Sequence, residues 1–151
     1  MLKFTVHTEG LDNLPERLVT ASKRAEHIVA IQAQKDTADY VPFLTGSLNT
    51  KTRVNGSRII YPGPYARYLY YGKVMVDVAT GKGPMRIVSQ DGTEVIRFRK
   101  GATLKPIDRD LDIKRRPGHR FAQSHWFEAS KAKNLPKWLR VAKEATLNEF
   151  K

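Results

Sequence analysis

The chain has 151 residues without a cysteine, and its 27 basic and 15 acidic side chains give a formal charge of +12. That length suits one ordinary domain burying about 70% of the surface its unfolded form exposes, and the missing thiols exclude disulfide scaffolds, Cys-ligated zinc, iron–sulfur clusters and cysteine nucleophiles. Residues 1–9 carry charge and alternation where a signal peptide has an apolar core, and no run reaches about 18 apolar residues, so the expectation is a protein made in the cytosol that spans no membrane.

Leu2, Phe4 and Val6 alternate with Lys3, Thr5 and His7, the period-2 pattern of a strand with one buried face. Asn13-Leu-Pro-Glu16 predicts a helix start: Asn13 caps, Pro15 falls in the first turn where amides lack partners anyway, and Glu16 reaches back. Leu14, Leu18, Ala21, Ala25, Ile28, Val29 and Gln32 or Ala33 trace an apolar stripe at helical spacing, which Tyr40-Val41-Pro42 ends. A helix of about 26 residues would extend roughly 39 Å, and its alanines imply close packing. Asn55-Gly56 within 50–61 predicts a hairpin with a type I′ turn. With those two residues as the loop Arg53 faces Arg58, an unfavourable pair unless an anion lies nearby.

Pro64-Tyr-Ala-Arg-Tyr-Leu-Tyr-Tyr-Gly72 reads as a short helix opened by Pro64 and ended by Gly72, with Tyr65, Tyr68 and Leu69 on its core face. Val74, Val76 and Val78 suggest a further strand. A second hairpin turning at Asp91-Gly92 pairs Met85 with Phe98, Arg86 with Arg97, Ile87 with Ile96 and Val88 with Val95. Met85, Ile87, Ile96 and Phe98 then share an apolar face that needs a cover, and Arg86 and Arg97 lie together on the other. Residues 100–120 lack sustained periodicity and read as a long loop or flexible basic arm. Ser124 is placed to cap a last helix through Trp126, Phe127 and Ala129. Asn134-Leu-Pro-Lys-Trp-Leu139 repeats the pattern of 13–18, so either a new helix starts at Asn134 or Pro136 kinks a continuous one, with Leu135, Trp138, Leu139 and Ala142 as its buried stripe. The fold expected is α+β: an antiparallel sheet of hairpins packed by a long N-terminal and a C-terminal helix. It forms one domain over 1–151, with its core in 1–79 and 121–151 and an insertion at 80–120 made of the hairpin and the flexible basic arm.

Chemistry is sparse. Asp108, Asp110 and Asp112 have the spacing that opens a calcium loop, but Ile113 stands where glycine must turn and His119 where a glutamate must close. Gly81-Lys82 lacks the upstream glycine and following hydroxyl of a phosphate loop. His119 and His125 lie six apart, a poor spacing for a zinc pair, and His7 and His27 fall in the first strand and helix. A small basic ribonuclease using His119 and His125 as acid and base, with Lys105 or Arg120 as stabiliser, is a minor alternative to histidines that are solvated bystanders. No catalytic residue, metal site or cofactor is assigned.

The charge is uneven. Residues 1–40 hold five basic and six acidic side chains, and the remainder hold 22 and nine. Arg53, Arg58, Arg67, Arg86, Arg97, Arg99, Lys114, Arg115, Arg116 and Arg120 make up a candidate surface for a polyanion or an acidic partner, weighed against a merely solvated face. Five of the six tyrosines lie between 61 and 71. Interleaved with Arg58 and Arg67 they could stack bases of single-stranded nucleic acid, but packing and protein contact, especially by Tyr70 and Tyr71, is the stronger reading.

Val41-Pro-Phe-Leu-Thr-Gly-Ser-Leu48, the stretch from Pro64 through Gly72 to Val76, and His125-Trp-Phe-Glu-Ala-Ser-Lys-Ala132 with Lys137-Trp-Leu139 together resemble the minor capsid proteins of long-tailed phages of Gram-positive bacteria. These are related to the tail-completion proteins. The resemblance covers residues 30–145 in order, and 80–123 departs from it. It implies a virion structural protein of the head–tail neck, made in the host cytoplasm, without enzymatic activity or membrane contact. It also implies a homo-oligomeric ring, hexameric or twelvefold, beside head-closure or connector proteins and tail-terminator or tail-tube proteins. In such a ring Met85, Ile87, Ile96, Phe98, Tyr70 and Tyr71 are the expected interface, and the cations meet genomic DNA or an acidic neighbour. The alternative expectation is a basic nucleic-acid-binding module.

Overall fold

Small side chains set the principal packing of the molecule. The computed structural model describes residues 13–43, 47–62 and 65–151. Helix α1 (Leu14–Thr37) carries Pro15 in its first turn and buries Ala21, Ala25, Ala30, Ala33 and Thr37. These let the backbone of α4 (Trp126–Asn148) approach closely, and α4 returns Trp126, Ser130, Trp138 and Ala145 to the contact. The two helices run antiparallel. The hydroxyl of Thr37 near the end of α1 donates to Ser130 near the start of α4 at 2.9 Å, and Arg24 meets Glu149 at 2.8 Å near the other end. The apolar stripe is narrower than its spacing predicts, for Leu18 and Ile28 are 49% and 43% exposed. A single helix laid against small residues covers only the alanine side of the stripe. Asn13 makes no side-chain cap; only its carbonyl begins the helix, accepting from the Arg17 amide.

After a 3-10 turn at Ala38–Tyr40, the chain forms α2 (Ser47–Lys51), β1 (Arg53–Asn55), β2 (Arg58–Ile60), α3 (Ala66–Tyr71), β3 (Lys73–Asp77), β4 (Met85–Val88), β5 (Glu94–Arg97) and β6 (Leu104–Asp110) before α4. The fold is therefore mixed helix and strand, as expected, but the strands make three separate two-stranded antiparallel ladders, β1–β2, β3–β6 and β4–β5. Val78 lies past the end of β3 and is exposed. The strand expected at Leu2, Phe4 and Val6 lies outside the described residues, as do Leu44 to Gly46 and Pro64.

Both hairpin registers differ from those the turn dipeptides suggest. In the first, Asn55 pairs with Arg58 and Arg53 with Ile60, so the loop is Gly56-Ser57 and the two arginines are not opposed. Gly56 takes φ +59°, and a Gly-first loop with positive φ at that position alone is the II′ requirement. In the second, Val88 pairs with Glu94, Ile87 with Val95, Arg86 with Ile96 and Met85 with Arg97. The loop has three residues, Gln90-Asp91-Gly92, with Gly92 at φ +79° and the Asp91 carboxylate accepting from the Thr93 amide at 3.0 Å. That extra residue slips the register by one and turns β5 over relative to β4.

Residues 104–110, expected in an irregular arm, form a strand against β3 instead. Pairing with a distant partner, and not local pattern, fixes it, since Pro106 and four charged side chains break the alternation. Helix α4 is continuous through Pro136; His125 at φ +51° precedes it, and no side-chain cap is made by Ser124 or any other residue at its start. Leu135 and Leu139 stand 39% and 62% exposed, leaving Trp138 and Ala142 as the inward members of the stripe expected there.

Candidate assembly surfaces

An aromatic hub joins the end of α1 to α2, α3 and α4. Tyr40, Val41 and Trp126 are buried together, with Leu48, Tyr61, Leu69, Tyr70 and Phe127 packed around them. Tyr70 and Tyr61 meet the Trp126 ring edge-on at 4.8 and 5.4 Å, a favoured aromatic geometry. Burial pushes the Tyr61 phenol up, against the lowering effect of the Trp126 indole. The Tyr70 carbonyl accepts from the His125 amide at 2.7 Å, and its hydroxyl donates to Glu128. Tyr70 therefore holds α3 to α4, and Tyr71 is 54% exposed beside it. Gly72 ends α3 at φ +70°; a Cβ there would lie 2.9 Å from the Cβ of Ser124. Both the conformation and the space demand glycine.

The segment 116–123 is tied to the end of α1. His119 Nδ1 lies 2.8 Å from the Val41 carbonyl, Arg120 pairs with Asp39 at 3.1 Å, and the amides of Phe121 and Gln123 donate to the carbonyls of Asp39 and Tyr40. Phe121 stacks on Tyr40 at 5.1 Å, and the Arg116 guanidinium lies over Phe43. The chain expected to reach away as a flexible arm is thus folded onto its own core here. His119 and His125 are each engaged in this framework, and no group of three His or carboxylate side chains among the described residues is placed to hold a metal.

The candidate cations belong to several different elements. Arg53 and Arg58 stand on the β1–β2 hairpin, which meets the middle of α1 where His27 Nδ1 approaches the Gly56 carbonyl at 2.8 Å. Lys114, Arg115, Arg116 and Arg120 belong to the segment at the α1 C-terminus, about 18 Å further along by helical rise. Arg86 pairs with Glu94 at 2.5 Å. Arg99 pairs with the buried Asp77 at 2.5 Å, and this bond, with the Ala79 amide, holds the Asp77 carboxyl below its usual range. Arg53, Arg58, Arg67, Arg97, Lys114 and Arg115 make no ion pair among the described residues.

The four apolar residues expected on one hairpin face divide. Met85 and Ile87 share a face with Val95, while Ile96 shares the other with Val88. Phe98 leaves the hairpin to stack on Tyr65 at 6.0 Å and is 9% exposed. Met85, Val88, Val95 and Ile96 are 38–61% exposed, so the hairpin shows apolar side chains on both sides, beside the Arg86–Glu94 pair on one of them.

Sequence reasoning missed Asp36, which accepts from Lys137 at 2.7 Å and from the Trp138 indole at 2.9 Å, locking α1 to α4. Burial would raise its carboxyl, but these bonds and one from Gln32 outweigh it and hold it below the usual range. The signal available was a lone acid near the end of an alanine-faced helix, which is too weak to single out.

No helix among the described residues is long and apolar enough to cross a membrane. No curated protein and no solved structure is similar enough to this chain to match it. The model of the minor capsid protein family matches residues 4–85, from ahead of α1 through the aromatic α3 motif to the first residue of β4, and the chain belongs to that family of phage virion structural proteins.

Proposed function

We propose that the protein is a ring subunit of the head–tail junction, joining or completing the tail at the head by geometric means and without catalysis. The observation that carries this reading is the β4–β5 hairpin. The family match ends at Met85, where the hairpin begins, and from there the chain displays partly exposed apolar side chains on both faces of the hairpin. A contiguous apolar display of this kind marks an interaction surface, and a heterologous contact between identical subunits closes into a ring when its rotation suits. Its neighbours would be head-closure or connector proteins on one side and tail-terminator or tail-tube proteins on the other, with six or twelve copies in the ring.

The test is electron microscopy of particles from a phage carrying a stop codon at Tyr65. Filled heads beside separate, complete tails are expected; normal joined particles sink the reading. The unpaired cations favour a second role in contacting genomic DNA. Such binding weakens log-linearly with salt in proportion to the phosphates contacted, whereas apolar ring contacts persist.

A further inference from the structure

A cleft of about 410 Å³ opens between α3 and the 98–104 segment. The stacked Tyr65 and Phe98 line it together with Leu104, Arg67 and Arg99. Arg99 is already committed to Asp77, through Nε at 2.5 Å and a second contact at 3.3 Å. Arg67 is exposed and has no carboxylate partner among the described residues. A guanidinium beside an aromatic wall is well suited to a carboxylate, because the fork matches both oxygens and the apolar wall limits screening.

Carboxylates in excess stand at the other end of the same ladder. Asp108 and Asp110 lie where β6 bulges opposite Lys73, and the Lys73 ammonium reaches both carboxylates, so they point to the same side. The Asp108 side chain is wholly exposed and that of Asp110 83% exposed, and Lys73 serves both, at 3.4 and 2.8 Å. Asp112 is exposed just beyond. Leu104 lines the cleft and pairs with Asp77, whereas Asp110 pairs with Lys73 four residues away on β3, about 13 Å by strand rise. Arg67 and these carboxylates do not pair within the subunit. Between copies arranged head to tail they can, and that contact is heterologous, as a ring needs.

We propose that the Arg67 cleft of each copy receives the Asp108 and Asp110 face of β6 from the adjacent copy. The proposal rests on the ring reading and specifies one of its contacts. It is tested by supplying variants to a phage lacking this gene and measuring, by immunoblot, the protein carried in purified particles. Arg67→Glu alone, and Asp108→Lys with Asp110→Lys, are each expected to lower incorporation by about tenfold or more, since like charges then face each other. The triple variant restores opposite charges and should return incorporation to within about threefold of wild type. Lys73 loses its partners in both lysine-bearing variants, so recovery in the triple cannot come from that pair.

Circular dichroism melts of the purified variants show which are folded. If a reversal variant does not fold, Arg67→Gln and the Asp108→Asn, Asp110→Asn pair replace it, each expected to reduce incorporation; wild-type incorporation of both overturns the proposal. Loss on reversing Arg67 but not the aspartates, or failure of the triple variant to recover, also overturns it and points the cleft at DNA or another acidic protein. Joined particles formed without the gene would instead sink the ring reading itself.

Discussion

The α1–α4 helix pair and the β4–β5 hairpin are both antiparallel pairings, yet they differ in where their side chains go. The helices turn alanines, Thr37, Ser130 and two tryptophans inward and lock the contact with Asp36. The hairpin is held by its own ladder and an Asp91 turn, and of its eight strand residues only Ile87 is even half-buried. Stability therefore resides in the first and available apolar surface in the second. A subunit built this way can lose its projecting element without unfolding, which separates folding from assembly experimentally.

The largest effect is expected at the hub. Trp126→Ala removes the side chain on which Tyr61 and Tyr70 both pack, and should cost about 3–5 kcal/mol in urea denaturation. Equality with wild type would place the stability elsewhere. Gly72→Ala should cost about 2–4 kcal/mol, since alanine is strained at φ +70° and its Cβ meets Ser124. Measured against Ser124→Gly, the same change should cost only about 1–2 kcal/mol, because the clash is gone and only the backbone strain stays. An unchanged cost in that background would show that the close approach is immaterial.

Asp36 gives a smaller, pH-dependent effect. Its folded carboxyl is held below the unfolded value, so its stabilisation is fully present above about pH 4 and is lost as pH falls through the folded pKa. Asp36→Asn should cost about 1–2 kcal/mol near neutrality by loosening the Lys137 and Trp138 bonds. The gap between the two proteins should close as the medium is acidified. A gap constant down to pH 2 would mean that the bonds matter by shape and not by charge.

Much of this arrangement was legible in the residues. Pro15, the alanine spacing and Gly72 carry local chemistry that has one cheap solution, so α1 and α3 could be read almost to their ends. The turn dipeptides were less decisive. Asn-Gly and Asp-Gly each permit loops of two or three residues, and a one-residue difference reverses a face, so the shared face of Met85, Ile87, Ile96 and Phe98 was a reading that register alone could undo. Strand β6 was illegible because its partner lies about thirty residues earlier and its own sequence, with Pro106 and alternating charges, has no apolar period. The cleft at Arg67 was hidden for the same reason: Tyr65 and Phe98 meet only after that pairing forms. The family resemblance identified the class of protein, and it could not distribute the cations, which belong to different elements.

The smallest effect on folding is expected where the effect on assembly is large. Val88 and Ile96 lie on the same side of the hairpin, 61% and 38% exposed. Replacing both by lysine removes apolar surface that is already in water, so the stability should change by less than about 0.5 kcal/mol. The same side chains, if they meet a neighbouring subunit or partner, would carry two charges into an apolar contact, and desolvating them is costly enough to prevent association. The variant should therefore melt with wild type and be absent from purified particles. If it is incorporated normally, this side of the hairpin faces solvent in the assembled phage, and Met85 and Val95 on the opposite side become the surface to change next. If instead it unfolds, the hairpin is packed in the subunit, and the contrast between a closed helix pair and an open ladder fails.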